Sequence, residues 1–373
     1  MSLSAHSKLV LVIGGYGNFG SIISRELAKC HSISLIIAGR SLEKAQCFAG
    51  SMTSANPVLA TQLDIHINLE AVLAQYRPDI VIHTSGPYQG QPYHVAQACI
   101  AQGCHYIDLA DAREFVAGIS TLDASAKEKN VLLVSGASSV PCLSAAVVDY
   151  LLPQFLEIHE LDYGISTAQK AGRGLATTKA ILSYTGKAFT TIIQGKTQII
   201  YGWQGLHRHK YRMLAAPRWL SYCNVPDIAL FPTRYPSLKS IRFYAGLEVA
   251  MLHFGLWGLS WLVRAKIIRS LQMAARSMLK MSDLFDWLGT HTSIFHLRLS
   301  GLAKDNTSLT KSFELIAHHG DGLYIPCMPA ILLAKKLATN QLAQRGAQPC
   351  IGLISLDDYM DSLQNLNIRW QIF

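Results

Sequence analysis

Charge is what this 373-residue chain has least of. Lys, Arg, Asp and Glu make up 15% of it, against roughly 25% in an ordinary soluble domain, while half the residues are hydrophobic. Such a balance calls for large buried surfaces, an oligomer interface or contact with lipid. The eight cysteines form no CxxC pair, and the 5-residue offset of Cys99 and Cys104 matches no common metal motif. His207/His209 and His318/His319 lack accompanying ligands, so no metal is expected. The opening Met1–Ser7 has no charged leader, which makes a reducing cytoplasm the expected location. No helix-turn-helix, zinc finger or RNA-binding aromatic signature is present, and nucleic acid is not an expected partner.

The positive charge that does exist is unevenly placed. Between Trp203 and Lys280 twelve Lys/Arg stand against two acids, Asp227 and Glu248, so this stretch carries the whole excess of the chain's net +9. Within it, Val249–Val263 is an uncharged run of fifteen residues, shorter than the ~20 needed to cross a bilayer. Arg264–Lys280 follows, with Ile267, Ile268, Leu271, Ala275 and Met278 at helical spacing among cations. An apolar helix followed by a basic amphipathic one fits peripheral attachment to the inner face of a membrane. It equally fits a buried core helix or the interface of a homodimer.

The first 140 residues alternate strand and helix. Apolar runs at Lys8–Gly15, Ser32–Arg40, Pro57–Ile65, Asp79–Gly86, His105–Ala110 and Val131–Ala137 are separated by helical stretches, the last being Ala112–Asn130. Because parallel strands need right-handed crossovers, this pattern predicts an α/β fold with a Rossmann-type doubly wound parallel sheet. Between the first strand and its helix lies Gly15-Tyr16-Gly17-Asn18-Phe19-Gly20, a GxGxxG loop in the setting the motif requires. Gly15 suits the tight turn, Gly17 a close approach of pyrophosphate, and Gly20 the contact of helix with strand. The N–H groups of the helix start then serve the phosphates.

The second strand ends in Ala38-Gly39-Arg40-Ser41, with Lys44 a turn later, where an NAD enzyme would usually carry Asp or Glu. Arg40 and Ser41 suit a ribose 2′-phosphate, so NADP is the expected cofactor, with NADPH favoured over NADH.

Taken together, GGYGNFG, AGRSLEKA, HTSGPYQGQPYHVAQACIAQGCHYIDLADAREFV, SGASSVPCLSAAVVDYLL and GDGLYIPCMPAILLAKKLA resemble the saccharopine dehydrogenase-like oxidoreductases. The likeness is specific over Lys8–Leu151 and patchy beyond. It implies an NADP-binding Rossmann domain at 1–140, a substrate and dimerisation α/β domain with a mixed sheet at 141–320, carrying the apolar-basic insert 246–280, and a segment 321–373 packing back on the first domain. It puts Gly15, Gly17, Asn18, Phe19, Gly20, Arg40 and Ser41 on the cofactor, Asp64 near adenine, and Thr84, Ser85, Gly86 and Pro87 on the nicotinamide side. Tyr106, Asp108 and Asp111 would face the same crevice; alternatively the two acids cap the helix after them, and Tyr106 is a packed strand aromatic.

No arginine pair is placed to hold a substrate's carboxylates, which turns the expectation from saccharopine toward an acyl- or lipid-bearing small molecule. Five further strands are expected, at Glu157–Ser166, Gln194–Trp203, Ile241–Ala245, Ile294–Leu302 and Ser308–Ala317. Gly320 and Gly322 suit a close backbone approach to the cofactor crevice. Hydride delivery to a C=O, C=N or C=C bond needs a proton donor. Tyr106, Asp108 and His319 are the candidates, since no Tyr-x-x-x-Lys pair is suitably placed. The rival expectation is a non-catalytic, membrane-associated NADP(H) sensor or scaffold.

Overall fold

The computed structural model describes residues 7–373; residues 1–6, on which the absence of a charged leader chiefly rests, lie outside the described residues. The chain forms two units: Met1–Leu143 with Tyr324–Tyr359, and Ser144–Leu323 with Met360–Phe373.

In the first unit the apolar runs become β1 (Lys8–Ile13), β2 (Ile33–Gly39), β3 (Val58–Gln62), β4 (Ile80–His83), β5 (His105–Asp108) and β6 (Leu132–Ser135). They pair in parallel in the order β3-β2-β1-β4-β5-β6, and the strand Gly346–Pro349 adds parallel to β6 as a seventh. Every residue of β2 and β4 is buried, because helices cover both faces of a doubly wound sheet. The strand order reverses between β1 and β4, which opens a crevice at their carboxyl ends. The expected long helix over 112–130 is instead Arg113–Gly118, a 3-10 turn Ile119–Leu122, and Asp123–Glu128. Gly118 marks the break, and a Cβ there would lie 2.6 Å from the Tyr93 hydroxyl.

The second unit holds β7 (Phe155–Thr167), β8 (Ala188–Ile193), β9 (Lys196–Tyr201), β10 (His207–His209), β11 (Arg218–Tyr222), β12 (Ser240–Leu247), β13 (Ser293–Ala303) and β14 (Ser308–Ala317). Six of these make a mixed sheet, β10-β11-β12-β7-β13-β14, closed at one edge by the strand Ile368–Ile372. Its β7–β12 pair is parallel, while its other pairs are antiparallel. Leu161, Tyr163, Phe243, Leu297 and Phe313 alternate onto the buried face. The strands β8 and β9 form a separate hairpin.

The tail divides, contrary to a wholesale return of 321–373 to the first domain. Residues 324–359 join the first unit, whereas Ile368–Ile372 pairs antiparallel with β14 in the second. That pairing satisfies the backbone of an otherwise open sheet edge. The apolar-basic insert is a helix Ala250–Arg264, a link ending in the 3-10 turn Gln272–Ala274, and a helix Ala275–Asp283. No helix among the described residues is long and apolar enough to cross a membrane.

Candidate functional site

The crevice of the first unit starts where β1 gives way to the helix Asn18–Ala28. Gly14 takes φ +78° there, so the strained position of the turn falls one residue before Gly15, where the sequence pattern placed it. The Gly17 N–H donates to Gly14 O at 2.8 Å, closing the loop, and Gly17 caps the helix in an extended conformation. A Cβ on Gly20 would lie 2.1 Å from Gly14 O, inside the loop backbone itself. The first helical turn therefore presses on the loop, and its N–H groups point outward as they do at any helix start. Gly17 and Asn18 are exposed, and Phe19 is partly so.

The second wall is the end of β4. The Thr84 hydroxyl donates to Ile13 O at 2.8 Å, tying β4 to β1 across the strand-order reversal. A Cβ on Gly14 would lie 2.7 Å from Thr84 Oγ1 and 2.8 Å from Ser85 Oγ, so the glycine loop and the β4 loop meet there. The Gln91 amide donates to Ser85 O at 3.1 Å and Pro87 O at 2.9 Å, which holds the loop's shape. Thr84, Ser85, Gly86 and Pro87 all keep part of their surface open to solvent.

At the end of β2, Arg40 is exposed, and among the described residues it makes no ion pair. Ser41 Oγ accepts from Lys44 N at 3.3 Å as the cap of the helix Leu42–Gly50, leaving its own proton available to an acceptor. Tyr16, which the motif leaves unspecified, matters here. Its hydroxyl accepts from Ser41 N at 3.0 Å, and its ring fills the space where a Cβ on Gly39 would stand, 2.5 Å away. The signal was present as an aromatic between the motif glycines and a glycine before Arg40. At the end of β3, Asp64 Oδ1 accepts from His66 N at 3.0 Å in a turn that Asn68 completes.

Of the proposed proton donors, Tyr106 and Asp108 lie together in the first unit, side chain beside side chain. Tyr106 is fully buried among Val81, Val95 and Leu133, so its side chain faces the core rather than the crevice. Its hydroxyl lies 3.2 Å from His83 Nδ1, and burial pushes its pKa well up. His83 is driven down to about 3, chiefly by burial and then by His94, and is therefore neutral. Asp108 is also fully buried. Its Oδ1 accepts from Ala110 N and Gly136 N, each at 2.9 Å, and from Ser135 Oγ at 3.0 Å, stapling the end of β5 to that of β6. Oδ2 lacks a well-formed hydrogen bond, and burial pushes the carboxyl up to about 6 against the pull of those three donors and of the neighbouring Tyr106 hydroxyl.

Neither acid caps the following helix, whose N-cap residue is Ala112. Asp111 instead accepts from the Gln89 amide at 3.2 Å. His319 is exposed, has φ +55°, and belongs to the second unit. Gly322 makes its close approach within that second unit, a Cβ there lying 2.9 Å from Ser293 Oγ. No group of His, Cys, Asp and Glu among the described residues is arranged to hold a metal ion.

Residues 10–134 match the family model of the saccharopine dehydrogenase NADP binding domain, a span that contains the glycine loop, the β2 end and the β4 loop. Among solved structures, the chain is similar to the apo histidine-tagged saccharopine dehydrogenase (L-Glu forming) from Saccharomyces cerevisiae, with TM-score 0.69, 13% identity, and coverage of 98% of this chain and 100% of that one. An amine dehydrogenase from Mycobacterium smegmatis aligns at TM-score 0.45 and 11% identity over 92% of this chain and 94% of that one. No curated protein matches the chain by sequence.

Proposed function

We propose that the chain, whose residues 10–134 match the saccharopine dehydrogenase NADP binding domain, is an NADP(H)-dependent oxidoreductase of that type. It acts on a C=O, C=N or C=C bond of a small, acyl- or lipid-bearing substrate. The observation that carries this is the cradle of Gly14, Gly17 and Gly20 at the strand-order reversal, faced by the open loop Thr84–Pro87. Its shape fits a dinucleotide, because a Cβ on Gly14 or Gly20 would fill or break it. A bound nicotinamide would supply hydride.

The chain's own residues then have separable tasks. Gly15, Gly17, Asn18, Phe19 and Gly20 would present backbone to the pyrophosphate. Arg40 would pair with a 2′-phosphate, aided by Ser41 and the start of the helix Leu42–Gly50, while Asp64 borders the adenine side. Thr84, Ser85, Gly86 and Pro87 would line the nicotinamide. Asp108 and Tyr106 would act as positioning residues, since their burial keeps them off the reacting atoms; Asp108 holds the β5 and β6 ends beside the β4 loop. His319 would be the exposed proton donor of the second unit. Support for a lipid-like substrate is the weakly charged chain and its apolar helix Ala250–Arg264, which also favours a location at the inner face of a membrane.

Fluorescence titration of NADPH and NADH tests the cofactor assignment. Wild-type protein should bind NADPH at least ~10-fold more tightly, as charge-assisted phosphate contacts of about 1.5–3 kcal/mol require. Arg40→Asp should erase that preference. Equal binding of both nucleotides by the wild type would defeat the assignment.

A further inference from the structure

The helix Ala250–Arg264 has no charged side chain before its last residue, yet only one of its faces is covered. His253, Leu256, Ser260 and Val263 are buried, and Leu256 and Val263 join Leu182, Trp203, Leu271 and Ala275 in one small core. The opposite face, with Met251, Phe254, Trp261 and Leu262, is open to solvent. An all-apolar helix is ordinarily buried on every side. The concentration is not a local accident: ten of the seventeen exposed large apolar side chains among the described residues fall between Met251 and Leu288. Ile267 is 71% exposed, Met273 99% and Trp287 76%.

Cations are interleaved with them. Lys266, Arg269, Arg276 and Lys280 are exposed, and among the described residues none has a carboxylate partner. The two acids of the stretch are already answered, because Arg173 contacts Asp283 at 2.9 Å and Asp286 at 2.5 Å. Unpaired cations beside exposed Trp, Phe, Met and Ile match the two layers of a membrane surface, anionic headgroups over acyl chains. A second copy of the chain is a poorer occupant. A two-fold interface would set these four cations against their own equivalents.

We propose that this face of the second unit docks on an anionic lipid bilayer, with Ile267, Met273 and Trp287 entering the headgroup boundary and Lys266, Arg269, Arg276 and Lys280 on the phosphates. The inference deepens the membrane location suggested above but does not need the cofactor.

The full-length protein is sedimented with vesicles of phosphatidylcholine alone and of phosphatidylcholine mixed with phosphatidylserine. Binding to the mixed vesicles should be at least ~10-fold stronger and should fall as salt is raised. Arg269→Glu with Lys280→Glu should lose it, and so should Ile267→Ser with Met273→Ser, all at exposed positions that leave melting temperature and NADPH titration unchanged. Equal binding to both vesicles, or wild-type binding by the Ser pair, overturns the proposal. So does self-association in a lipid-free sizing run that the same variants abolish, or retention on an anionic polynucleotide in preference to vesicles. Vesicle binding without NADPH binding would refute the cofactor reading and leave this one standing.

Discussion

Replacing Asp108 with Asn removes a buried charge while keeping the shape that three donors recognise. Ala110 N, Gly136 N and Ser135 Oγ all converge on Oδ1, which an Asn carbonyl oxygen can reproduce. Oδ2 lacks a well-formed hydrogen bond, so the Asn amide would take over a position that is already unsatisfied. The folded carboxyl is pushed up to about 6 from an ordinary 3.8 by burial, an interval corresponding to about 3 kcal/mol. The folded state thus keeps its proton while the unfolded chain has released it. The resulting stability is fully present below the ordinary value of 3.8 and is lost as pH rises through about 6. In urea titrations from pH 4 to pH 8, the stability of Asp108→Asn relative to wild type should rise by about 2.5 kcal/mol. Asp108→Ala leaves three buried donors without an acceptor, each costing about 1–3 kcal/mol, and should be severely unstable at every pH. A difference between the Asn variant and wild type that stays flat across this window would refute the assignment of a raised carboxyl at this position.

Gly20→Ala places a Cβ 2.1 Å from Gly14 O. The overlap, about 1–3 kcal/mol, exceeds the gain in helix propensity of about 1 kcal/mol. Calorimetry should show a lower melting temperature together with NADPH binding weakened at least ~10-fold. Tyr16→Phe keeps the ring over Gly39 but removes the acceptor of Ser41 N–H, so it should lower stability by about 1 kcal/mol in denaturant titration and weaken NADPH a few-fold. Arg40→Asp should act on NADPH and leave NADH nearly unchanged, a difference that stopped-flow or equilibrium fluorescence would read directly.

The parallel sheet was legible because its signal is local. Val10–Ile13 and Leu35–Ala38 are uninterrupted apolar runs, and a strand buried on both faces needs nothing else to be seen. The motif glycines were equally legible as a pattern, but not the backbone angle that put the strained turn at Gly14. Strands such as His207–His209 and Arg218–Tyr222 escaped because one is only three polar residues long, and the other mixes Arg, Trp, Leu, Ser and Tyr without an apolar run. Tyr106 and Asp108 sit two residues apart on one short strand, and alternation would suggest a common face. They do lie side by side, but both are fully buried, Asp108 under the β6 turn, a tertiary fact no spacing discloses. Exposure of Met273 and Trp287 was likewise invisible, since an apolar residue in a sequence gives no sign of whether anything covers it.

The chain leaves the first unit at Leu143 and re-enters it at Tyr324, after 180 residues of the second unit. Gly346–Pro349 closes the β6 edge of the sheet, and the helix Tyr324–Ala338 packs on Asn18–Ala28, with the Cys327 thiol against Phe19 O at 3.7 Å. During synthesis the ribosome must therefore deliver nearly the whole polypeptide before the glycine loop acquires its backing. The nucleotide site is a late product of translation, and a nascent chain holding all the motif residues is still an unfinished binder. Any fragment ending before Tyr324 would expose an unpaired strand edge and a bare helix face, so quality control would meet an incomplete fold rather than a minimal dehydrogenase.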